Sequence, residues 1–315
     1  MDEFALIQQY FSGIGTPSQQ VVLGIGDDCA LLAGHTGEQL ALSVDTSLPD
    51  RHFPAQADPW AIGWRALSVA FSDLSAMAAE PVGFTLALSL PEQDPAWLQA
   101  FSQGLRAFAE AQSCPLIGGD TTRGPLAISV QVIGRAPAHR VWRRQGAQAG
   151  DLIAVLGDLG AAYAGLQSLL GDPELARDRH QWGAVEQAYM LPESRMQEAL
   201  RLRDQVPVTA CIDISDGLLA DCQHLLAASA VAAELDLAAL PIHPWLKHHW
   251  TPEQQLDAAC EGGDDYALLL TLPATAWPRA HQLCPHLTII GRCVAGAGMR
   301  NQAGAPLAPR GFKHF

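Results

Sequence analysis

Short apolar runs that stop at glycine and aspartate recur along this chain. Val21 to Ile25 leads into Gly26-Asp27-Asp28, Leu40 to Val44 into Asp45-Thr46, Leu116-Ile117 into Gly118-Gly119-Asp120, and Ala210 to Ile214 into Ser215-Asp216-Gly217. Apolar segments this short, closed by turn residues, predict strands. Gly83 to Leu90, Leu126 to Ile133, Asp151 to Leu156, Val231 to Leu237, Tyr266 to Leu272 and Leu287 to Arg292 read the same way. Between them the period becomes helical. Phe4, Ile7, Tyr10 and Phe11 share one face of a short opening helix, and Leu67, Ala70, Phe71, Leu74 and Met77 line one face within residues 58–80. Helices are also predicted over 95–112, from Gly160 through Leu170, over 193–204 and onward from Leu218. Residues 172–191 are polar and irregular and read as a surface excursion. The pattern predicts a mixed α/β (α+β) chain whose halves repeat αβ units, with glycine and aspartate presented at strand ends.

Length and composition divide that pattern. At 315 residues the chain is long for one core, and 49% hydrophobic against 17% charged residues can bury a large interior. Arg140, Arg143 and Arg144 concentrate basic charge in a stretch that separates a first domain, 1–137, from a second, 151–315, with 138–150 as a basic linker. The net charge of −14 excludes nucleic acid and anionic membrane as partners, whose phosphates attract basic surfaces. A small polyphosphate remains compatible if divalent cations bridge the two sets of negative charge. Acidic residues follow Met1 where a signal peptide would be basic, and no run reaches the length of a membrane span, so the expectation is a soluble, cytoplasmic protein. Seven cysteines without a Cys-x-x-Cys pair read as reduced, mostly buried thiols rather than a zinc site.

The candidate chemistry lies in the aspartates. Asp73 falls in an alanine-rich helical stretch and must be paired, protonated or metal-bound, with an arginine such as Arg65 as the structural alternative. Asp216 at a helix start has an equally ordinary reading as a cap, whereas Asp213 ends an apolar strand. Gly157-Asp158-Leu159-Gly160 resembles a phosphate turn without the dinucleotide spacing. No P-loop and no protein-kinase signature is present. Carboxylates without histidine or cysteine partners favour Mg²⁺, which keeps water and completes its shell with phosphate oxygens, so the residues point to ATP and to metal-dependent phosphate transfer or ATP hydrolysis.

Gly24-Ile25-Gly26-Asp27-Asp28-Cys29-Ala30-Leu31-Leu32, Asp45-Thr46 with His52-Phe53, Ser72-Asp73-Leu74, Gly118-Gly119-Asp120-Thr121-Thr122-Arg123-Gly124-Pro125, Asp213-Ile214-Ser215-Asp216-Gly217-Leu218 and the closing His314-Phe315 together resemble thiamine-monophosphate kinases. The resemblance spans nearly the whole chain in order. It implies the two-domain fold shared with aminoimidazole ribonucleotide synthetase and selenophosphate synthetase, with an N-terminal domain that dimerises and carries the ATP and metal site. The implied reaction is ATP-dependent phosphorylation of thiamine monophosphate to thiamine diphosphate, assisted by several Mg²⁺ ions. Another ATP-dependent synthetase of that superfamily and a non-catalytic nucleotide or thiamine-phosphate binder are the alternatives. By the same resemblance Asp28, Asp45, Asp73, Asp120, Asp213 and Asp216, with Ser43 and the Val44 carbonyl, hold metal. Gly119, Asp120, Arg144 and Ser215 meet the nucleotide, and His52, Asp264 and Phe312 meet thiamine monophosphate. Asp45, Asp120 and Asp213 are the catalytic candidates, and a homodimer is implied. The sequence departs from the family pattern at Asp264, where Gly-Gly-Glu-Asp-Tyr reads Gly-Gly-Asp-Asp-Tyr. It departs again near the C-terminus, where Pro309 and Arg310 stand near the usual aromatic residue and Phe312 is the candidate stacking face.

Overall fold

The computed structural model describes residues 21–23, 27, 29–34 and 36–312. The predicted opening helix, Asp28 and the closing His314-Phe315 lie outside them.

The first half contains β1 (Val21–Leu23), β2 (Ala30–Ala33), β3 (Glu38–Ser47), α1 (Pro59–Ala76), β4 (Glu80–Leu90), α2 (Pro95–Ala111), β5 (Leu116–Arg123) and β6 (Ala127–Pro137). These strands form one sheet in the order β1-β2-β3-β6-β4-β5. Its pairings are antiparallel except β4 with β5, which are parallel and joined through α2. Alternate residues of the central strands, among them Ala41, Phe84, Leu88, Ile128, Val130 and Val132, bury against Leu67, Phe71 and Leu74 of α1 and Phe101, Leu105 and Phe108 of α2. The two helices touch at Gly104, where a β-carbon would lie 1.7 Å from the Trp60 carbonyl oxygen. Caps hold their starts: Asp58 accepts the Trp60 N–H at 2.8 Å and Asp94 accepts that of Ala96 at 2.9 Å, each before a proline in the first turn. On the opposite face of the sheet Val44 is 61% exposed.

The second half contains β7 (Leu152–Leu156), α3 (Ala161–Gly171), α4 (Pro173–Arg177), α5 (Ala184–Met190), α6 (Met196–Gln205), β8 (Ala210–Ile214), α7 (Leu218–Ser229), β9 (Ala232–Leu235), α8 (Pro244–His249), α9 (Pro252–Glu261), β10 (Ala267–Leu272), α10 (Trp277–Leu283), β11 (Leu287–Val294), β12 (Met299–Asn301) and β13 (Pro306–Leu307). Its sheet runs β13-β12-β9-β11-β7-β10-β8. β8 and β10 are buried along their whole length, which is why both read as unbroken apolar runs. One sheet face packs on Leu218, Leu225 and Leu226 of α7, the other on Ala199, Leu202 and Ala280 of α6 and α10.

Two expectations are corrected, and one weak resemblance is closed. Asp45 and Asp120 do not end their strands: β3 continues to Ser47, and β5 runs through Gly118, Gly119 and Asp120 to Arg123. Backbone pairing with β4 keeps this polar segment extended although its side chains bury nothing. Residues 172–191 are not a bare excursion, because α4 and α5 lie there and Trp182, Val185, Tyr189 and Met190 are buried at near-helical spacing among polar neighbours. The turn at Gly157–Gly160 is no phosphate cradle: the Asp265 carboxylate already accepts the Gly160 N–H at 2.8 Å and the Ala162 N–H at 3.4 Å.

Candidate active site

Register decides which face each candidate of the first half occupies. In β3, Ser43 pairs with Val132 and Asp45 with Val130, both buried, so the two polar residues face the α1 side. Asp73 comes from α1, and the Ser43 hydroxyl donates to its carboxylate at 2.5 Å. Ser43, Asp45 and Asp73 are thereby brought to one side of the sheet. Arg65, the considered partner of Asp73, spends its hydrogen bonds on His52, Tyr189 and Asp264.

Asp120 stands elsewhere. It pairs with Ala87, which pairs with Ser129, which pairs with Thr46, so Asp120 shares a row with residues of the face away from α1. Three strand spacings separate β5 from β3, about 14 Å. Gly119 is required next to it: its φ is 148°, and a β-carbon there would lie 1.9 Å from the Leu86 carbonyl oxygen. Beside β5, a cavity of about 570 Å³ opens between Phe84, Leu105, Ala109, Cys114 and Leu116.

The second half supplies the opposite wall. Asp213 is buried at the end of β8, and Ser215 and Asp216 follow in the turn before α7. The amides of Ser215, Asp216 and Gly217 all donate to one oxygen of Asp221 at 3.1 Å, so Asp221 takes the capping role considered for Asp216. Burial, and then the charges of Asp216 and Asp213, push the Asp221 carboxyl well above its ordinary range. Negative charge is thus crowded at this turn, where a cation is electrostatically favoured. The Arg144 amide lies 3.3 Å from the Asp27 carboxylate, which ties the linker to the first acidic turn.

His52, Asp264 and Phe312 converge on the same cleft. The His52 ring Nδ1 accepts the Leu48 N–H at 3.0 Å. Asp264 is held at φ 61°, with its N–H donating to the Ser215 carbonyl at 2.7 Å, and Tyr266 donates its hydroxyl to Asp264 at 3.0 Å. Burial, then the charge of Asp264, against the pull of Arg65, raise the Tyr266 hydroxyl well above its ordinary value. The Phe312 N–H donates to the Asp216 carbonyl at 2.9 Å, and its ring lies 4.7 Å from the Arg51 guanidinium.

Among the described residues no three His, Cys, Asp or Glu side chains form a ready metal cage. The donor set of Ser43, Asp45, Asp73, Asp213 and Asp216 is all oxygen, which fits a hard cation whose shell is completed by water and phosphate.

Two family models match in sequence order: "AIR synthase related protein, N-terminal domain" over residues 26–136 and "AIR synthase related protein, C-terminal domain" over 148–302. Thiamine-monophosphate kinase of Escherichia coli K12 is 39% identical over 99% of this chain and 98% of its own. The chain belongs to the thiamine-monophosphate kinase family. The crystal structure of thiamine-monophosphate kinase from Stenotrophomonas maltophilia K279a is 40% identical, with a TM-score of 0.81 over 92% of this chain and 93% of that one. The structure of AaThiL complexed with AMPPCP and TMP is 31% identical, with a TM-score of 0.86 over 100% of this chain and 97% of that one.

Within this kinase fold Tyr189, Tyr266 and Asp221, which hold the predicted residues in place, were not anticipated from the sequence, and Arg65 was considered only as a partner of Asp73 rather than of His52 and Asp264. The available signal was a buried-type helix carrying one arginine, and an Asp221 positioned one turn beyond the Ser215-Asp216-Gly217 turn.

Proposed function

We propose that this chain transfers the γ-phosphate of ATP directly to the phosphate of thiamine monophosphate, giving thiamine diphosphate and ADP, as the last step in making that cofactor. The observation that carries this reading is the 39% identity with the Escherichia coli kinase across almost the full length of both chains. The gathering of His52, Asp264 and Phe312 opposite Ser43, Asp45 and Asp73 supports it.

Asp28, Ser43, the Val44 carbonyl, Asp45, Asp73, Asp120, Asp213 and Asp216 would hold Mg²⁺. When bound, the ions supply neutralisation of two anionic reactants that otherwise repel. Gly119, Asp120, Arg144 and Ser215 take the nucleotide. His52, Asp264 and Phe312 take the thiamine end, where a carboxylate and an aromatic face suit a cationic, amine-bearing ring system. No general base is needed, because a phosphate monoester is largely ionised at pH 7. The working unit is a cytoplasmic homodimer: residues 1–137 bind nucleotide and pair with a second copy, 138–150 bridge, and 151–315 complete the site. Pairing is supported by Asp120 lying on the other face, and about 14 Å, from Asp45, so that the two do not meet within one chain. A second copy's β5 brings its Asp120 to this chain's Asp45.

Asp45→Asn and Asp120→Asn each reduce diphosphate formation at least about a hundredfold, since each removes a charge that the transferring phosphoryl group relies on. Unfolding and refolding the two variants together restores about a quarter of wild-type activity, because half the dimers are mixed and each has one intact site. No recovery on mixing overturns the shared site, and a normal rate in either single variant overturns the assigned roles.

A further inference from the structure

We propose that Arg65, from the buried side of α1, is the positioning residue of the thiamine end of the site, fixing the Asp264 carboxylate and the His52 segment in one geometry. The inference rests on the kinase reading above. Arg65 is 3% exposed, and its guanidinium is shared between three segments distant in sequence. Its Nε donates to the His52 carbonyl at 3.0 Å, one terminal nitrogen donates to the Tyr189 carbonyl, and the other pairs with Oδ1 of Asp264. The same group lies 4.1 Å from the centre of the Tyr189 ring and 5.8 Å from that of Tyr266.

Each partner is itself secured. The Tyr189 hydroxyl donates to the His52 carbonyl at 3.0 Å, so that one oxygen receives both Arg65 and Tyr189. Tyr266 adds its hydroxyl to Oδ1 of Asp264, the oxygen already taken by Arg65. With Oδ1 doubly engaged and 28% of the side chain still exposed, Oδ2 is the oxygen presented to the cleft. Asp264 stands where the family pattern has glutamate, so its reach is one methylene shorter. Its left-handed backbone and the grip on Oδ1 then determine where the remaining oxygen points. A planar fork of five donors can serve two carbonyls and a carboxylate together; the three donors of a lysine ammonium radiate from one atom and cannot.

The experiment is steady-state kinetics of Arg65→Lys with each substrate varied separately. Arg65→Lys should raise the KM for thiamine monophosphate about tenfold or more, the scale of losing one charge-assisted hydrogen bond. Its KM for ATP should stay within about twofold of wild type and its kcat within about threefold. In an Asp264→Asn background the same substitution should add little, because its effect acts through the carboxylate. Tyr266→Phe, which keeps the ring and removes only the other bond to Oδ1, should move the same KM in the same direction and serves if the arginine variant does not fold. An equal change in both KM values and in kcat, or full additivity with Asp264→Asn, overturns the positioning role. A wild-type protein that forms no thiamine diphosphate overturns the functional reading instead.

Discussion

Two carboxyl groups in the second half show how a side chain's surroundings set its work. Asp265 and Asp264 are adjacent, yet Asp265 turns inward to cap α3 while Asp264 turns to the cleft. Burial, against the pull of the Gly160 and Ala162 amides, raises the Asp265 carboxyl from 3.8 to about 7. A carboxyl raised in the fold binds its proton more tightly there than in the unfolded chain. Its contribution to stability is therefore largest below the unfolded value and falls as the pH rises from about 4 to about 7. Asp265→Asn should flatten that fall: its melting temperature should decline less than that of wild type between pH 4.5 and 7.5, followed by thermal denaturation. An identical slope in both proteins would show that Asp265 is charged throughout. The inward role of Asp265 was not legible in the sequence, where Asp264-Asp265 reads as one acidic pair. Asp45, Asp73, Asp213 and Asp216 were legible because charge stands out against apolar neighbours; Arg65, which holds Asp264 and the His52 carbonyl, and Asp221, which holds the Ser215-Asp216-Gly217 turn, come from another element or a later helical turn, and the contacts they make are not written in the local pattern.

Among the elements, β5 is where local pattern and fold diverge most. Its residues are all exposed, so neither alternation nor apolar content announces a strand beyond Ile117. Its extended form comes from parallel pairing with β4, a long-range contact that sequence periodicity does not record. The opposite holds for β8 and β10, whose complete burial made their bounds plain. The segment 172–191 failed for a third reason, since its buried residues are few and set among charges, and only packing beside α3 reveals α5.

At the scale of the molecule, two sheets with different burial logic meet across one cleft. The first is covered by helices on one face, and the second is covered on both. Arg65, Tyr189 and Tyr266 stitch the halves together beside His52 and Asp264, and Arg144 with Asp27 does so at the acidic turn. Among the described residues no helix is long and apolar enough to cross a membrane, and all seven cysteines are free and buried. The two-part α and β plan and most strands were legible from the chain alone; strand order, and the placing of Asp45 and Asp120 on opposite faces, depend on register. The most direct test is to incubate the purified protein with Mg²⁺, thiamine monophosphate and ATP labelled in the γ-phosphate. Labelled thiamine diphosphate should form one for one with ADP, and a chelator of divalent ions should abolish it. Unlabelled diphosphate, or ADP released with labelled inorganic phosphate and no diphosphate, would contradict direct transfer to thiamine monophosphate.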